Sequence, residues 1–485
     1  MHTTITRRHF LHQTAAAGAA GFLGVSLQSC TSRSLVPQAS DSSNRKPNIL
    51  FIAVDDLRTQ LGCYGHDETL SPNIDNLASE GVLFERAYCQ MPACGPSRAS
   101  LMTGIRPENN RFKSWRADQG APEAVPLNQH FKSHGYQTVC NGKIFHSKTD
   151  SASGWSQAPW RVYDYDTQGR GDWGAVHFNK IWLDPDSQKH RSQTGRGPYH
   201  EKADLPDDAY EDGQVLNKSI EDMRGLSKSD KPFFLACGFH RPHLPFNAPK
   251  KYYDLYDPST IELADNRYGL AHKPEDCRNS NEITRYSRID GWPDREHFHR
   301  QARHAYYACV SYVDALIGRL LNELKTLGLD DNTIVVLWGD HGWLLGEHHF
   351  WGKHNTLNET LRVPLIIRAP GYQKNARTRA LVELVDLYPT LCELAGLARP
   401  DSHQLEGRSV VPLLRSCHIE WKEAVFSEWA GGKAVKTDRY LYTEWANDKN
   451  MLFDHHLDPF ENTNIAGKPE NAELIKRLHA LLNSV

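Results

Sequence analysis

The stretch Asn48-Ile-Leu-Phe-Ile-Ala-Val-Asp-Asp56 decides how the chain is read. Every residue from Ile49 to Val54 is apolar, so the segment lacks the alternation of a strand with one wet face. Continuous apolar runs of this length mark strands covered by helices on both sides, as in parallel α/β sheets. The run ends in two adjacent carboxylates, and open α/β sheets build their sites at the carboxyl ends of strands. Asp55 and Asp56 together suit a hard divalent cation, while an Asp-rich capping turn is the plainer reading of the pair taken alone.

The same grammar recurs downstream. Tyr136–Cys140 is a short strand candidate followed by Lys143 and His146. Pro232–Gly238 runs into His240, Arg241 and His243, set among two prolines, and Thr333–Trp338 ends in Asp340 and His341. Four candidate strands therefore deliver ionisable groups at their carboxyl ends, which converge on one crevice in a doubly wound sheet. Helical cover comes from Pro72–Gly81 and from Gln301–Leu327, where Tyr306, Val310, Val313, Ile317, Leu320 and Leu324 recur at helical spacing. Val363–Ile367 reads as a further strand and Asp386–Gly396 as a further helix. Beyond Leu414 the runs shorten and end in a helix at Asn471–Leu482, as in a small antiparallel sheet with one helix. Residues 150–230 show little periodicity, and their Trp155, Trp160, Trp173 and Trp182 read as part of a substrate rim. The charged stretch from Lys250 to Arg300 supports no assignment.

Between the first strand and the others lies Cys94-Gly95-Pro96-Ser97-Arg98, followed by Thr103-Gly104. Pro96 suits the first turn of a helix, whose free N–H groups favour an anion, and Arg98 adds a forked cationic donor. A structural Cys in a Gly/Pro turn is the alternative. The full run resembles the sulfatase signature, in which this Cys is oxidised after translation to formylglycine. Leu452-Phe-Asp454 with Asp458-Pro-Phe-Glu-Asn462 resembles a segment of sulfatase C-terminal parts. His341, where many sulfatases carry Asn, and the Gly-Glu-His and Trp-Gly-Lys-His context around Lys353 are most similar to the iduronate-2-sulfatase branch.

This resemblance implies an α/β fold: a large doubly wound mixed sheet flanked by helices, with a smaller C-terminal α+β subdomain of antiparallel sheet plus helix. It implies a catalytic domain over residues 47–414 and a C-terminal subdomain over 415–485. Asp55, Asp56, Asp340 and His341 would bind one calcium ion, completed by the oxidised side chain of Cys94. Arg98, Lys143, His146, His243 and Lys353 would hold the formylglycine hydrate and the sulfate. One hydroxyl of the hydrate attacks sulfur, Arg98, Lys143 and Lys353 neutralise the sulfate oxygens, and His243 or His146 protonates the leaving sugar oxygen. The substrate implied is a sulfated carbohydrate such as a glycosaminoglycan. The maturation partner is a formylglycine-generating or radical-type enzyme. Competing readings are a phosphatase or phosphonate monoester hydrolase of the same superfamily, and a non-catalytic surface glycan-binding protein.

Composition narrows the rest. The 485 residues carry 56 Lys+Arg against 59 Asp+Glu, a formal charge of −3, so no global field points to nucleic acid or an anionic membrane. The 10 Cys include no Cys-x-x-Cys pair, which argues against a zinc ribbon. At the start, Arg7-Arg8 precede a short apolar run from Thr14 to Leu27, too short to span a bilayer, and resemble a twin-arginine export signal. Residues 1–46 are therefore read as signal and disordered tether. The expected partner is the twin-arginine export machinery and the expected location the periplasm or outer surface. The only membrane attachment expected is a lipid on Cys30.

Overall fold

The computed structural model of the protein describes residues 45–108, 111–162, 181–292, 295–446 and 449–484. The leading run forms strand β1 (Asn48–Val54), buried along its whole length. Its side chains alternate between two cores: Leu50, Ile52 and Val54 face one, Ile49, Phe51 and Ala53 the other. Each such fully buried side chain contributes about 1.5–3 kcal/mol, which is why no polar position is tolerated on either face.

After β1 come helix α1 (Pro72–Ser79), strand β2 (Val82–Phe84), helix α2 (Cys94–Thr103) and strand β3 (Gln137–Gly142). Helix α3 (Glu211–Leu226) leads to strand β4 (Phe233–Phe239), and the 31-residue helix α4 (Glu296–Thr326) to strand β5 (Thr333–Gly339). Strands β6 (Leu365–Arg368) and β7 (Ala376–Thr378) complete a seven-stranded sheet of order β7-β2-β6-β5-β1-β4-β3. The contiguous strands β5, β1, β4 and β3 are parallel, and β6 runs against its neighbours, so the sheet is mixed as expected. The four strands expected to end in ionisable groups are these four adjoining parallel strands.

Strands β8 (Ala424–Trp429), β9 (Gly432–Thr437), β10 (Tyr440–Trp445) and β11 (Lys449–Asp454) form an antiparallel meander, followed by helix α5 (Ala472–Leu482). Val435, Tyr442 and Leu452 pack with Leu478 and Leu482 of α5 in a core of their own. Val425, Ala434 and Leu441 on the other face join the main core that holds Ile49 and Phe51.

Two expectations need correction. The stretch 150–230 is not wholly irregular, because α3 lies inside it and a helix spans Pro185–Thr194. The stripe Val215, Leu216, Met223 and Leu226 has helical spacing and is buried, but Gly213 and Gly225 dilute the helical signal. Trp155 and Trp182 are core residues, 3% and 1% exposed, not members of an exposed rim. Trp160 is half-buried, and Trp173, Arg7, Arg8 and Cys30 lie outside the described residues. The nine described cysteines are all buried and unpaired. Among the described residues no helix is long and apolar enough to cross a membrane.

Candidate active site

Cys94 is the first residue of α2, and Gly104 ends that helix in the left-handed region at φ 70°, the conformation for which glycine is favoured. Gly95 is required by packing, since a Cβ there would stand 2.5 Å from Cβ of Trp115. The helix start lies at the carboxyl ends of β1 and β5, where Cys94 Sγ is 3.9 Å from Asp56 Oδ1. Ser97 Oγ donates to the carbonyl of Asp340, tying the two segments together.

All ten side chains singled out from sequence gather here. Arg98, wholly buried, donates through Nε to Asp340 Oδ2 at 2.8 Å and through Nη2 to Asp55 Oδ1 at 3.2 Å. A further Nη1 bond reaches the Ile144 carbonyl at 3.0 Å, and the guanidinium lies over the Trp338 ring. Lys143 pairs with Asp55 Oδ2. Lys353 Nζ stands 2.6 Å from Asp56 Oδ1 and 3.2 Å from Cys94 Sγ. His341 Nε2 is 3.2 Å from the same sulfur and 3.3 Å from Asp56 Oδ1. His146 packs edge-on against Trp115, with ring centroids 4.8 Å apart.

Burial and charge shape the titration of these groups. Burial pushes Asp55 up, but Lys143 and Arg98 overrule it and hold the carboxyl well below its usual range. For Asp56 burial prevails over Lys353 and lifts the carboxyl to about 7. Burial, reinforced by Lys143, keeps His146 well below the ordinary imidazole value. Burial also opposes charge on His243, yet Asp56 and Glu282 outweigh it and raise the ring to about 10.

Geometry agrees for His243. Its Nδ1 faces the Leu244 carbonyl at 2.6 Å and its Nε2 faces Glu282 Oε1 at 3.2 Å. Both ring nitrogens address acceptors, as suits an imidazolium.

The donor set also fits a divalent cation. Asp55, Cys94, Asp340 and His341 present ligand atoms within 4.8 Å of one another, and Asp56 joins Asp55 and Cys94 within the same distance. Asp56 Oδ2 is buried without a hydrogen-bond partner. His341 Nδ1 donates to the Gly342 carbonyl at 2.9 Å, which orients the ring so that Nε2 faces Cys94 Sγ and Asp56 Oδ1. A buried carboxylate oxygen without a partner, beside ligand atoms gathered this closely, suits a positive ion, and the three carboxylates suit a hard one.

Sequence reasoning missed the residues that hold this cluster in place. Glu282 lies in the unassigned stretch and bridges His243 to Lys353, its Oε2 being 3.4 Å from Nζ. Tyr306 was part of the α4 apolar stripe, yet its hydroxyl donates to the Asp56 carbonyl at 2.8 Å and accepts from the Arg58 N–H at 3.0 Å. It pins Asp56, whose backbone is left-handed at φ 59°. Asp212 accepts from the N–H groups of His240 and Arg241 at 2.6 and 2.9 Å, fixing the loop that carries His243. Periodicity finds none of these roles, because each depends on the polar end of a residue whose position was already explained or unassigned.

The sheet and cluster together define an α/β protein whose strand ends carry a buried cluster of cations and carboxylates, a charge pattern suited to an oxyanion. Solved structures agree on the fold. A protein in complex with its substrate D-glucosamine-2-N,6-O-disulfate superposes with TM-score 0.72 at 23% identity, covering 90% of this chain and 97% of its own. A phosphonate monoester hydrolase from Silicibacter pomeroyi does so with TM-score 0.71 at 24%, covering 90% and 94%. A sulfatase family model matches residues 47–397, and an N-sulphoglucosamine sulphohydrolase C-terminal model matches residues 346–485. The chain is 35% identical to iduronate 2-sulfatase of Homo sapiens over 447 residues, 82% of this chain and 76% of that protein. It is 32% identical to a sulfatase of Formosa agariphila over 480 residues, 95% and 90% of the two chains. The chain belongs to the sulfatase family, close to the iduronate-2-sulfatase branch.

Proposed function

We propose that the protein hydrolyses a sulfate ester on a sugar in the manner of iduronate 2-sulfatase, through a formylglycine made from Cys94. The observation that carries this reading is the placement of Cys94 Sγ, 3.2 Å from both Lys353 Nζ and His341 Nε2, beside Asp56. Were a hard divalent cation such as calcium bound there, it would acidify an oxygen nucleophile made from Cys94. Asp55, Asp56, Asp340 and His341 would hold the cation. Lys353, Lys143 and Arg98 place fixed positive charge where the sulfate oxygens lie, at no reorganisation cost during reaction. His243, with a proton on each nitrogen, is the group fitted to protonate the leaving oxygen. His146, kept neutral, is suited to orienting rather than donating.

The test is turnover of an aryl sulfate and an aryl phosphate side by side by protein matured in a competent host. Sulfate should be strongly preferred. A clear preference for phosphate would favour the second reading, a phosphate or phosphonate monoester hydrolase, which the fold likeness to phosphonate monoester hydrolases supports.

Metal removal gives an independent check. Exhaustive chelation should abolish turnover and lower the melting temperature, with calcium add-back restoring both; full activity after chelation contradicts the assignment. Replacing Glu282 by Gln should lower kcat about tenfold with a smaller change in KM, since Glu282 positions His243 and Lys353. Loss of that carboxylate favours the neutral imidazole. The alkaline limb of the pH profile should therefore move to lower pH, by about one unit or more. An unshifted limb would remove Glu282 from the mechanism.

The reading extends to an exported enzyme. Support comes from Arg7-Arg8 ahead of the Thr14–Leu27 run, and from Cys30 as a lipidation site. Export of folded protein would place oxidation of Cys94 by its maturation enzyme in the cytoplasm.

A further inference from the structure

The C-terminal meander grips the chain on both sides of Cys94. From β8, Ser427 Oγ donates to the Cys89 carbonyl at 2.6 Å and the Glu428 N–H donates to the Gln90 carbonyl at 2.9 Å, in the segment that leads into α2. Trp429, the last residue of β8, stacks on the ring of His354, with centroids 4.7 Å apart and planes only 16° from parallel. His354 directly follows Lys353, whose Nζ stands 3.2 Å from Cys94 Sγ.

The tip that presents Trp429 is rigid. Trp429 pairs with Gly432 across the two-residue turn Ala430-Gly431, where φ is 49° and 80°, the positive pair that tight hairpin turns use. Gly432 is closely packed on β10, since a Cβ there would stand 2.4 Å from Trp445 Nε1.

The ring that receives it is less secure on its own. His354 has a left-handed backbone at φ 70°, which is costly for any residue with a side chain. Its N–H donates to the Pro92 carbonyl at 3.3 Å and its Nδ1 lies 3.1 Å from Ser280 Oγ, while Nε2 is buried without a hydrogen-bond partner. Burial, reinforced by the Lys353 charge, holds the ring down at about 3, so Trp429 meets a flat neutral face. Stacking is then the contact that fixes the plane of the ring. Ser280 Oγ in turn accepts from the Glu282 N–H at 3.3 Å. One line of contacts therefore runs from the hairpin tip through His354 to Lys353 and to the acid that bridges Lys353 and His243.

We infer that Trp429 is a positioning residue for Lys353. By holding His354 in its strained conformation it sets where the stem of Lys353 leaves the backbone, and so where the ammonium stands relative to Cys94 and the ester oxygens. Asp56 and Glu282 tether the ammonium, but toward themselves. A small shift of the stem would draw it away from the reacting group, and misplacement on that scale weakens transition-state stabilisation. The inference rests on the catalytic reading of the Cys94 cluster and holds for a sulfate or a phosphate ester alike.

The test is turnover of an aryl sulfate by the matured full chain, or of an aryl phosphate if only that is hydrolysed. Trp429→Ala and Trp429→Leu should each lower kcat about tenfold with KM changed less than about threefold, whereas Trp429→Phe, which keeps a flat ring, should stay within about threefold of wild type. Thermal melts establish that each variant is folded at the assay temperature. If the alanine variant is not, the contrast between Leu and Phe decides. In a Lys353→Ala background Trp429→Ala should cost less than about twofold more, because the group it places is already gone. An unchanged kcat, a loss expressed in KM, a Leu variant as active as the Phe variant, or a tenfold loss that persists without Lys353 overturns the inference. Failure of the sulfatase reading looks different: the wild type hydrolyses phosphate and no sulfate, and the same variants are then read on phosphate. A wild type that hydrolyses neither ester refutes both.

Discussion

Cys94→Ala is expected to lower sulfate-ester turnover by about 10⁴-fold or more while leaving the fold intact. The magnitude follows from losing the nucleophile outright, since residues that act as one unit are not replaced by their neighbours. The structural cost is small by comparison. Cys94 is 2% exposed at the start of α2, and trimming one buried sulfur costs on the order of 1 kcal/mol. Circular dichroism should therefore show a melt near that of the wild type, with activity absent. Mass spectrometry of the active wild-type protein should find the peptide around Cys94 lighter by the difference between a thiol and an aldehyde. Retained turnover in the alanine variant, or full activity from protein whose Cys94 is entirely unmodified, would refute the role assigned to this residue.

How much was legible in the sequence follows from which physical signals are periodic. Strand β1 declares itself because a strand buried on both faces tolerates no polar residue, and β4 and β5 show apolar runs of the same kind, whereas β3, with Gln137 and Thr138, reads only as a short strand candidate. The topology then did what the separate motifs could not. It made those strands adjacent and parallel, so that Asp55, Asp56, Lys143, His243, Asp340 and His341 meet at one edge. Glu282 gives no signal because its stretch is charged and aperiodic, and its role appears only when His243 and Lys353, distant in sequence, fold against it. Tyr306 was read for its ring, which fills the core, and not for its hydroxyl, which reaches the Asp56 carbonyl. Trp155 and Trp182 were misplaced for the opposite reason: surrounding Gly, Asp and Gln residues suggested a wet rim, yet both indoles are buried. Polar neighbours in sequence do not exclude a large ring from the core.

Arg98→Ala should be the most damaging single substitution for stability. In the wild type the buried charges balance: Asp55, Asp56 and Asp340 are met by Arg98, Lys143 and Lys353. Arg98 contributes two ion pairs and bonds to the carbonyls of Lys143 and Ile144 just after β3, with its own side chain wholly out of solvent. Removing one partner of a buried pair leaves uncompensated charge and costs about 3–5 kcal/mol. Arg98→Lys is no remedy, because an ammonium cannot address Asp340 and Asp55 through separate nitrogens. The loss should depend on the metal. Without Arg98 three carboxylates face two ammonium groups, so the variant should draw more stability from a bound divalent cation than the wild type does. Chemical denaturation with chelator and with calcium should show the gap between variant and wild type narrowing as calcium is added. A gap that is absent under chelation, or one that calcium leaves unchanged, would show that Arg98 does not carry the charge balance of the site.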